Sequence, residues 1–254
     1  MSRNLQAVHW PVLLLTALHG QLRAQGDTTL MVADEYYVYD EATADGTDAI
    51  ETYEPLNAAL GGDSVRFCDG SPCTGWVEDH YPNGQLLHRG YYKDGQLLVY
   101  KNFHLAGKLE REFKVTSDTK CLLRTYHDNG NVRSEVDYVS GDALHYTDHY
   151  PNGQLRYEEQ KHPEDPYYTM MDLFAEDGKP ISTLHIIDKR KVIFEQKEFW
   201  PSGNVRSAGR SQFNPRRFDS QRIGEWTYYT EQGIVDSTER YIDGKVSETA
   251  QVGK

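Results

Sequence analysis

Asp79-His-Tyr-Pro-Asn-Gly-Gln-Leu86 recurs unchanged as Asp148-His-Tyr-Pro-Asn-Gly-Gln-Leu155. The two copies lie 69 residues apart, which is three steps of 23, and a step of 23 from Gly84 lands in turn on Gly107, Gly130 and Gly153. The same step carries Leu86 to Leu109, Val132 and Leu155, and His80 to Phe103, Tyr126 and His149. A further column reads Val77, Tyr100, Leu123 and Tyr146. Several columns in phase mark an internal repeat, the signature of a stacked architecture. Beyond Gly153 the spacing loosens, with Gly178 and Gly203 at steps of 25 and Gly233 at a step of 30.

The repeated glycines sit in turn chemistry. In Tyr81-Pro-Asn-Gly-Gln85, Pro82 presets φ for the first corner of a type I turn, Asn83 suits the second, and Gly84 can take the left-handed conformation that follows. That is a three-residue hairpin loop with a bulge. Asp128-Asn-Gly130, Glu176-Asp-Gly178, Pro201-Ser-Gly203 and Glu231-Gln-Gly233 fit the same geometry. Half-way between them come Asp94-Gly95, Ser140-Gly141 and Asp243-Gly244. Short alternating segments between such turns predict antiparallel strands in a meander. Each unit of ~23 residues is then one β-hairpin plus its return turn, and seven units must stack edge to edge to bury anything. The predicted fold is all-β, an elongated antiparallel meander of stacked hairpins about 70 Å along the stack. Tyr92, Tyr100, Tyr126, Tyr146, Trp226 and Tyr228 are its candidate packing residues.

Composition agrees with a thin sheet. Of 254 residues 38% are apolar, which is low for a thick core, yet 18 Tyr, 8 Phe and 4 Trp exclude a disordered chain. The net charge of -12 gives nucleic acid and anionic lipid a low prior as partners. Arg3 followed by the apolar run from Trp10 to Leu18 predicts a secretory signal peptide over 1–24, with Gln25 as the mature N-terminus. Nine helical residues reach only about half-way across a bilayer core, so the run is not a spanning anchor and no integral membrane segment is expected after processing. Residues 25–64 form an acidic segment whose Tyr36, Tyr37, Tyr39 and Tyr53 suggest partial ordering as an edge strand, and 65–250 form the repeat domain. The expected location is outside the cytoplasm, in a periplasm or extracellular space.

The Tyr-Pro-Asn-Gly-Gln-Leu units, Gly90-Tyr-Tyr-Lys-Asp-Gly95 and Gly224-Glu-Trp-Thr-Tyr-Tyr229 resemble MORN-repeat variants, including bacterial envelope proteins labelled YwqK-like antitoxins. The resemblance spans roughly residues 65–250, departing at Ala106, where the turn Asn would sit, and in the stretched repeats. It implies the repeat class and brings no catalytic residues with it.

Candidate chemistry is sparse. Cys68-Asp-Gly-Ser-Pro-Cys73 places two cysteines across a turn, a disulfide staple in an oxidising compartment. A redox pair is disfavoured by the spacing, and zinc by the lack of a second ligand pair. Cys121 is left over. His145 and His149 stand four apart, about 13 Å on a strand, too far to share an ion. The glycines Gly84, Gly107, Gly130, Gly153, Gly178, Gly203 and Gly233 are expected to shape turns. Arg206, Arg210, Arg216, Arg217 and Arg222 form a candidate docking patch for an acidic partner or for residues 27–64, the alternative being a solvated loop of a stretched repeat. Repetition without a unique nucleophile or acid–base constellation points to a non-enzymatic exported protein whose sheet binds or scaffolds an unidentified protein in the cell envelope. No cofactor is implied. The alternatives are an antitoxin-like partner of a dedicated co-encoded protein, and an enzyme with a site built across several hairpins.

Overall fold

The structure, a computed structural model, describes residues 53–252. The signal peptide expected over 1–24 and most of the acidic segment lie outside the described residues. Two single-turn 3-10 helices, Glu54–Leu56 and Ala58–Leu60, lead into a small hairpin of β1 (Phe67–Cys68) and β2 (Ser71–Pro72). Fifteen further strands then form one antiparallel sheet in strict chain order. They are β3 (Gly75–His80), β4 (Leu86–Lys93), β5 (Gln96–Phe103), β6 (Leu109–Ser117), β7 (Lys120–Tyr126), β8 (Val132–Val139), β9 (Asp142–His149) and β10 (Leu155–Lys161). After the first stretched step come β11 (Tyr168–Phe174), β12 (Pro180–Asp188), β13 (Ile193–Phe199), β14 (Val205–Asn214), β15 (Asp219–Tyr229), β16 (Val235–Ile242) and β17 (Lys245–Gln251). The predicted meander of stacked hairpins is the observed one, open at both ends and not closed into a barrel.

The repeated octapeptide folds as the turn between an entering and a leaving strand. Tyr81 N–H donates to Gln85 O at 2.8 Å, Gly84 N–H donates to Tyr81 O at 2.8 Å, and Asn83 Oδ1 accepts from Gln85 N–H at 3.0 Å. Gly84 holds φ of +83°, a region costly to any residue with a β-carbon. The return turns are of a different kind. Asp94 and Gly95 both have positive φ, +50° and +78°, as do Ser140 and Gly141, the two-residue type I′ loop that matches strand twist. The stretched repeats spend their extra residues on this return side: loops 162–167, 189–192 and 215–218 replace two-residue turns, and β14 and β15 lengthen. The Asn-Gly side keeps its form throughout.

Alternation sorts the side chains onto two faces. Following the register across the sheet, Val77, Gly90, Tyr100, Phe113, Leu123, Val136 and Tyr146 lie opposite one another on an aromatic face. Residues 53–73 cover this face over β3–β8: Tyr53, Leu56, Ala59 and Leu60 pack on Tyr92, Tyr100, Phe113 and Cys121. Tyr100 and Phe113 stack at 5.5 Å, and each buried ring contributes roughly 1.5–3 kcal/mol. A second centre forms where Tyr167, from the 162–167 loop, meets Phe194 and Phe213. A third has Trp226, fully buried, lying on Gly209, where a β-carbon would sit inside the indole.

Two expectations change. The described end of the acidic segment packs as 3-10 turns, not as an edge strand, because Pro55 and Asn57 shape tight turns that bring Tyr53 over the sheet face. Tyr126 does not join the packing tyrosines. It belongs to the column of Phe103 and His149, three residues on from that of Tyr100 and Tyr146, an odd step that points it to the opposite face.

Candidate binding surface

The opposite face carries a row of charges. Its cross-strand neighbours run Glu78, Arg89, Lys101, Glu112, Arg124, Glu135, Thr147, Glu158, Asp172, Thr183 and Lys197, one from each strand from β3 to β13. Opposite signs meet repeatedly: Arg89 with Glu78 at 3.5 Å, Lys101 with Glu112 at 3.5 Å, and Arg124 with both Glu112 and Glu135. Burial opposes the charge on Glu112, but the Tyr126 hydroxyl at 2.6 Å, Lys101 and Arg124 outweigh it and hold the carboxyl below its usual range. Further along, Glu158 and Asp172 face each other, and a histidine attends each: His145 Nε2 lies 2.9 Å from Glu158, and His185 Nε2 lies 2.8 Å from Asp172. Burial favours the neutral His145 ring, but Glu158 and Asp137 prevail and raise its pKa.

Beside this row, at the mouth of every Asn-Gly-type turn, an aromatic or imidazole ring meets an aliphatic partner. The pairs are His80 with Leu86, Phe103 with Leu109, Tyr126 with Val132, His149 with Leu155, Phe174 with Pro180, Phe199 with Val205 and Tyr229 with Val235. Apart from His80 these residues are half-buried, so a stripe of partly exposed rings borders the charge row. At the β3 end the same face presents Trp76, 57% exposed, edge-on to Tyr91, with the Arg89 guanidinium 5.0 Å above the indole.

The covered end holds a polar network. His88 is fully buried, stacked on Tyr53 at 3.7 Å, with Nδ1 2.7 Å from Asn102 Oδ1 and Nε2 3.0 Å from the Tyr92 hydroxyl. Arg66 donates to Tyr92 Oη at 3.1 Å and makes a bidentate pair with Asp79, which also accepts from Tyr53 Oη at 2.8 Å. Burial dominates at His88 and lowers its pKa; at Asp79 the Arg66 bonds dominate and lower the carboxyl. Tyr53, stacked on His88 and bonded to Asp79, ties the turns at 53–60 to the sheet. Elsewhere, burial lifts the carboxyl of Glu159 despite the Tyr157 hydroxyl at 2.6 Å. Among the described residues no group of three His, Cys, Asp or Glu side chains is placed to hold a metal.

The residues singled out from sequence scatter. Cys68 and Cys73 stand at disulfide distance, Cα–Cα 5.0 Å, across the Asp69–Gly70 turn. Cys121 is buried beneath Ala59, and burial pushes its thiol up to about 11. Gly84, Gly107, Gly130, Gly153, Gly178, Gly203 and Gly233 all have φ between +79° and +92° at the seven turns. The five arginines do not form one patch. Arg206 and Arg210 share the charged face of β14, Arg206 lying 5.1 Å over Trp200. Arg216 and Arg217 are in the β14–β15 loop. Arg222 is on the other face, 4.1 Å over Trp226, donating to Tyr228 and Tyr241 and paired with Glu198 at 3.7 Å. Partnered with Ser211 across the strands, it packs the sheet.

Sequence reasoning missed what the motif side chains do. At four of the seven turns the ring that opens the turn donates to a backbone carbonyl of the next repeat: Tyr81 to Phe103 at 3.0 Å, His127 to His149 at 2.8 Å, Tyr150 to Phe174 at 2.9 Å and Trp200 to Tyr229 at 3.1 Å. The turn amides do likewise, Asn152 to Glu176 at 3.1 Å and Asn204 to Glu231 at 2.8 Å. Where Ala106 replaces the Asn, Lys108 Nζ reaches Asp128 O at 2.6 Å instead. The signal was present as a column of N–H- or O–H-bearing rings at positions 81, 104, 127, 150 and 200.

Residues 122–140, β7 and β8 with the turn between them, match the family described as MORN repeat variant. The match supports the MORN-repeat reading of the hairpins. No curated protein sequence matches the chain. Among solved structures, a crystal structure of S. aureus TarM in complex with fondaparinux, alpha-GlcNAc-glycerol and UDP is similar at 10% identity and TM-score 0.28, covering 49% of this chain and 21% of that one. A porin-like protein from Bacteroides uniformis is similar at 12% identity and TM-score 0.21, covering 73% of this chain and 91% of that one. The chain thus spans about a fifth of TarM.

Proposed function

We propose that this is a non-enzymatic exported repeat protein whose charged sheet face binds or scaffolds a protein in the cell envelope. The supporting observation is the use to which the motif is put. Ring and Asn of the turn unit are spent on joining one repeat to the next and Gly on the turn itself, which leaves the long face of paired charges bordered by aromatic rings. Partly exposed aromatic rings and arginines are among the side chains that interfaces favour. The cysteine pair at disulfide distance accords with an oxidising compartment, and among the described residues no helix is long and apolar enough to cross a membrane. Arg206 and Arg210, on the same face, remain candidate contacts, while Arg222 is a packing residue.

Affinity capture from envelope fractions of the native host tests this reading, using the mature protein and a variant in which Arg89, Lys101 and Arg124 are changed to Glu. Loss of a captured protein in the variant, with the fold retained by circular dichroism, is the expected outcome. Identical capture by both proteins would sink the surface assignment. One dominant, co-encoded partner would favour the antitoxin-like form suggested by the YwqK-like motifs. Intact-mass measurement on the same preparation should find Gln25 as the first residue, and retention of Met1 in cytoplasmic protein would refute export.

A further inference from the structure

Among the described residues the last strand of the sheet is β17. Each of seven repeats pairs a strand entering its Asn-Gly-type turn with the strand leaving it, from β3 with β4 to β15 with β16. β17 follows the return turn Asp243–Gly244 and therefore occupies the place of an entering strand, and among the described residues no strand lies on its outer side. All seven of its residues are exposed, and it contains no proline. The backbone shows which groups face outward. Val252 N–H donates to Asp236 O at 2.9 Å, so that pair is hydrogen-bonded, and hydrogen-bonded and non-bonded pairs alternate along an antiparallel ladder. Ala250 and Glu248 thus turn their amide groups toward β16, while Thr249 and Gln251 turn theirs away from it.

We propose that β17 pairs antiparallel with β17 of a second copy of this chain, about a two-fold axis at Thr249. On that axis the two Thr249 residues exchange N–H···O=C bonds, and Glu248 stands opposite Ala250 of the second copy. An axis at Glu248 would instead oppose two carboxylates through backbone groups already used by β16. The outward groups of Thr249 and Gln251 can take an antiparallel strand, which the two-fold operation supplies and then closes. Val246 and Ile242, 48% and 57% exposed, lie beside the junction. A single strand junction buries less than a standard interface, so the dimer is concentration-dependent.

Sedimentation equilibrium on the full mature chain across the micromolar range tests the proposal, and does so independently of the binding-surface reading. The expected result is a monomer–dimer equilibrium that Thr249→Pro weakens about tenfold, because it deletes an outward N–H shared by two reciprocal bonds. The β16–β17 ladder loses no bond, so the melting profile should be unchanged; if Thr249→Pro misfolds, Gln251→Pro provides the same test. A monomer at all concentrations, a dimer insensitive to these changes, or open-ended oligomers would overturn it.

Discussion

At His88 the sheet commits a buried imidazole to one protonation state. Nδ1–H serves Asn102 Oδ1, which leaves Nε2 to accept from the Tyr92 hydroxyl, itself accepting from Arg66. A proton on Nε2 would set two donors against each other beside a guanidinium, and burial already lowers the pKa below the ordinary 6.5. Below that value the unfolded chain takes up a proton that the folded chain refuses, so stability falls as the pH drops. His145 works in the opposite sense. Its raised folded pKa means its contribution is complete below 6.5 and is lost as the pH rises through the folded value. The two act in adjoining ranges, His145 above 6.5 and His88 below it. His145→Gln should therefore abolish a rise in melting temperature as the pH falls towards 6.5, and His88→Gln should lower stability near neutrality while flattening the fall below 6.5. Thermal melts across both ranges decide it; parallel profiles for all three proteins would contradict the assignment.

The hairpin is the scale at which sequence was most legible. Gly84, Gly130 and Gly153 announced their turns because a positive φ selects glycine, and that selection needs only local sterics. The type I′ returns were visible for the same reason at Asp94-Gly95 and Asp243-Gly244. What could not be read was anything that depends on a neighbour in space. The position of Arg222 over Trp226 depends on where β14 and β15 break register, whereas the odd step from Leu123 to Tyr126 was already in the repeat columns. The locks between repeats showed only as a column of ring positions, since Tyr150 finds its acceptor 24 residues away. That lock carries a prediction for the element. Tyr150→Phe keeps the ring and removes the donor to Phe174 O, a part-buried bond worth about 1 kcal/mol. Denaturant unfolding should show that loss, with hydrogen exchange quickening on both flanking hairpins. Quickening confined to β9 and β10 would mean that the hydroxyl does not couple repeats.

Across the whole sheet, stability should be graded, because a stack of repeats is held by nearest-neighbour contacts and not by one enclosed core. The covered end has the buried rings of Tyr92, Tyr100 and Phe113, the His88 network and the Cys68–Cys73 pair. The other end has Trp226 on Gly209 as its last buried ring, and beyond it β17 is exposed at every residue. Opening a terminal hairpin costs only its own junction, so the chain should unzip from β17 inward while β4–β7 stay closed until global unfolding. Native-state hydrogen exchange at low protein concentration, below any association, reads this directly. Amides of β16 and β17 should exchange fastest, β12–β14 at an intermediate rate, and β4–β7 near the global limit. Reduction of the cysteine pair sharpens the test. Closing so short a loop stabilises by about 2 kcal/mol, so dithiothreitol should lower protection at β3–β5 and leave β14–β17 unaffected. Uniform protection along the sheet, or an equal response at both ends, would show a single cooperative unit and would remove the N-terminal cover from its place as the anchor of the stack.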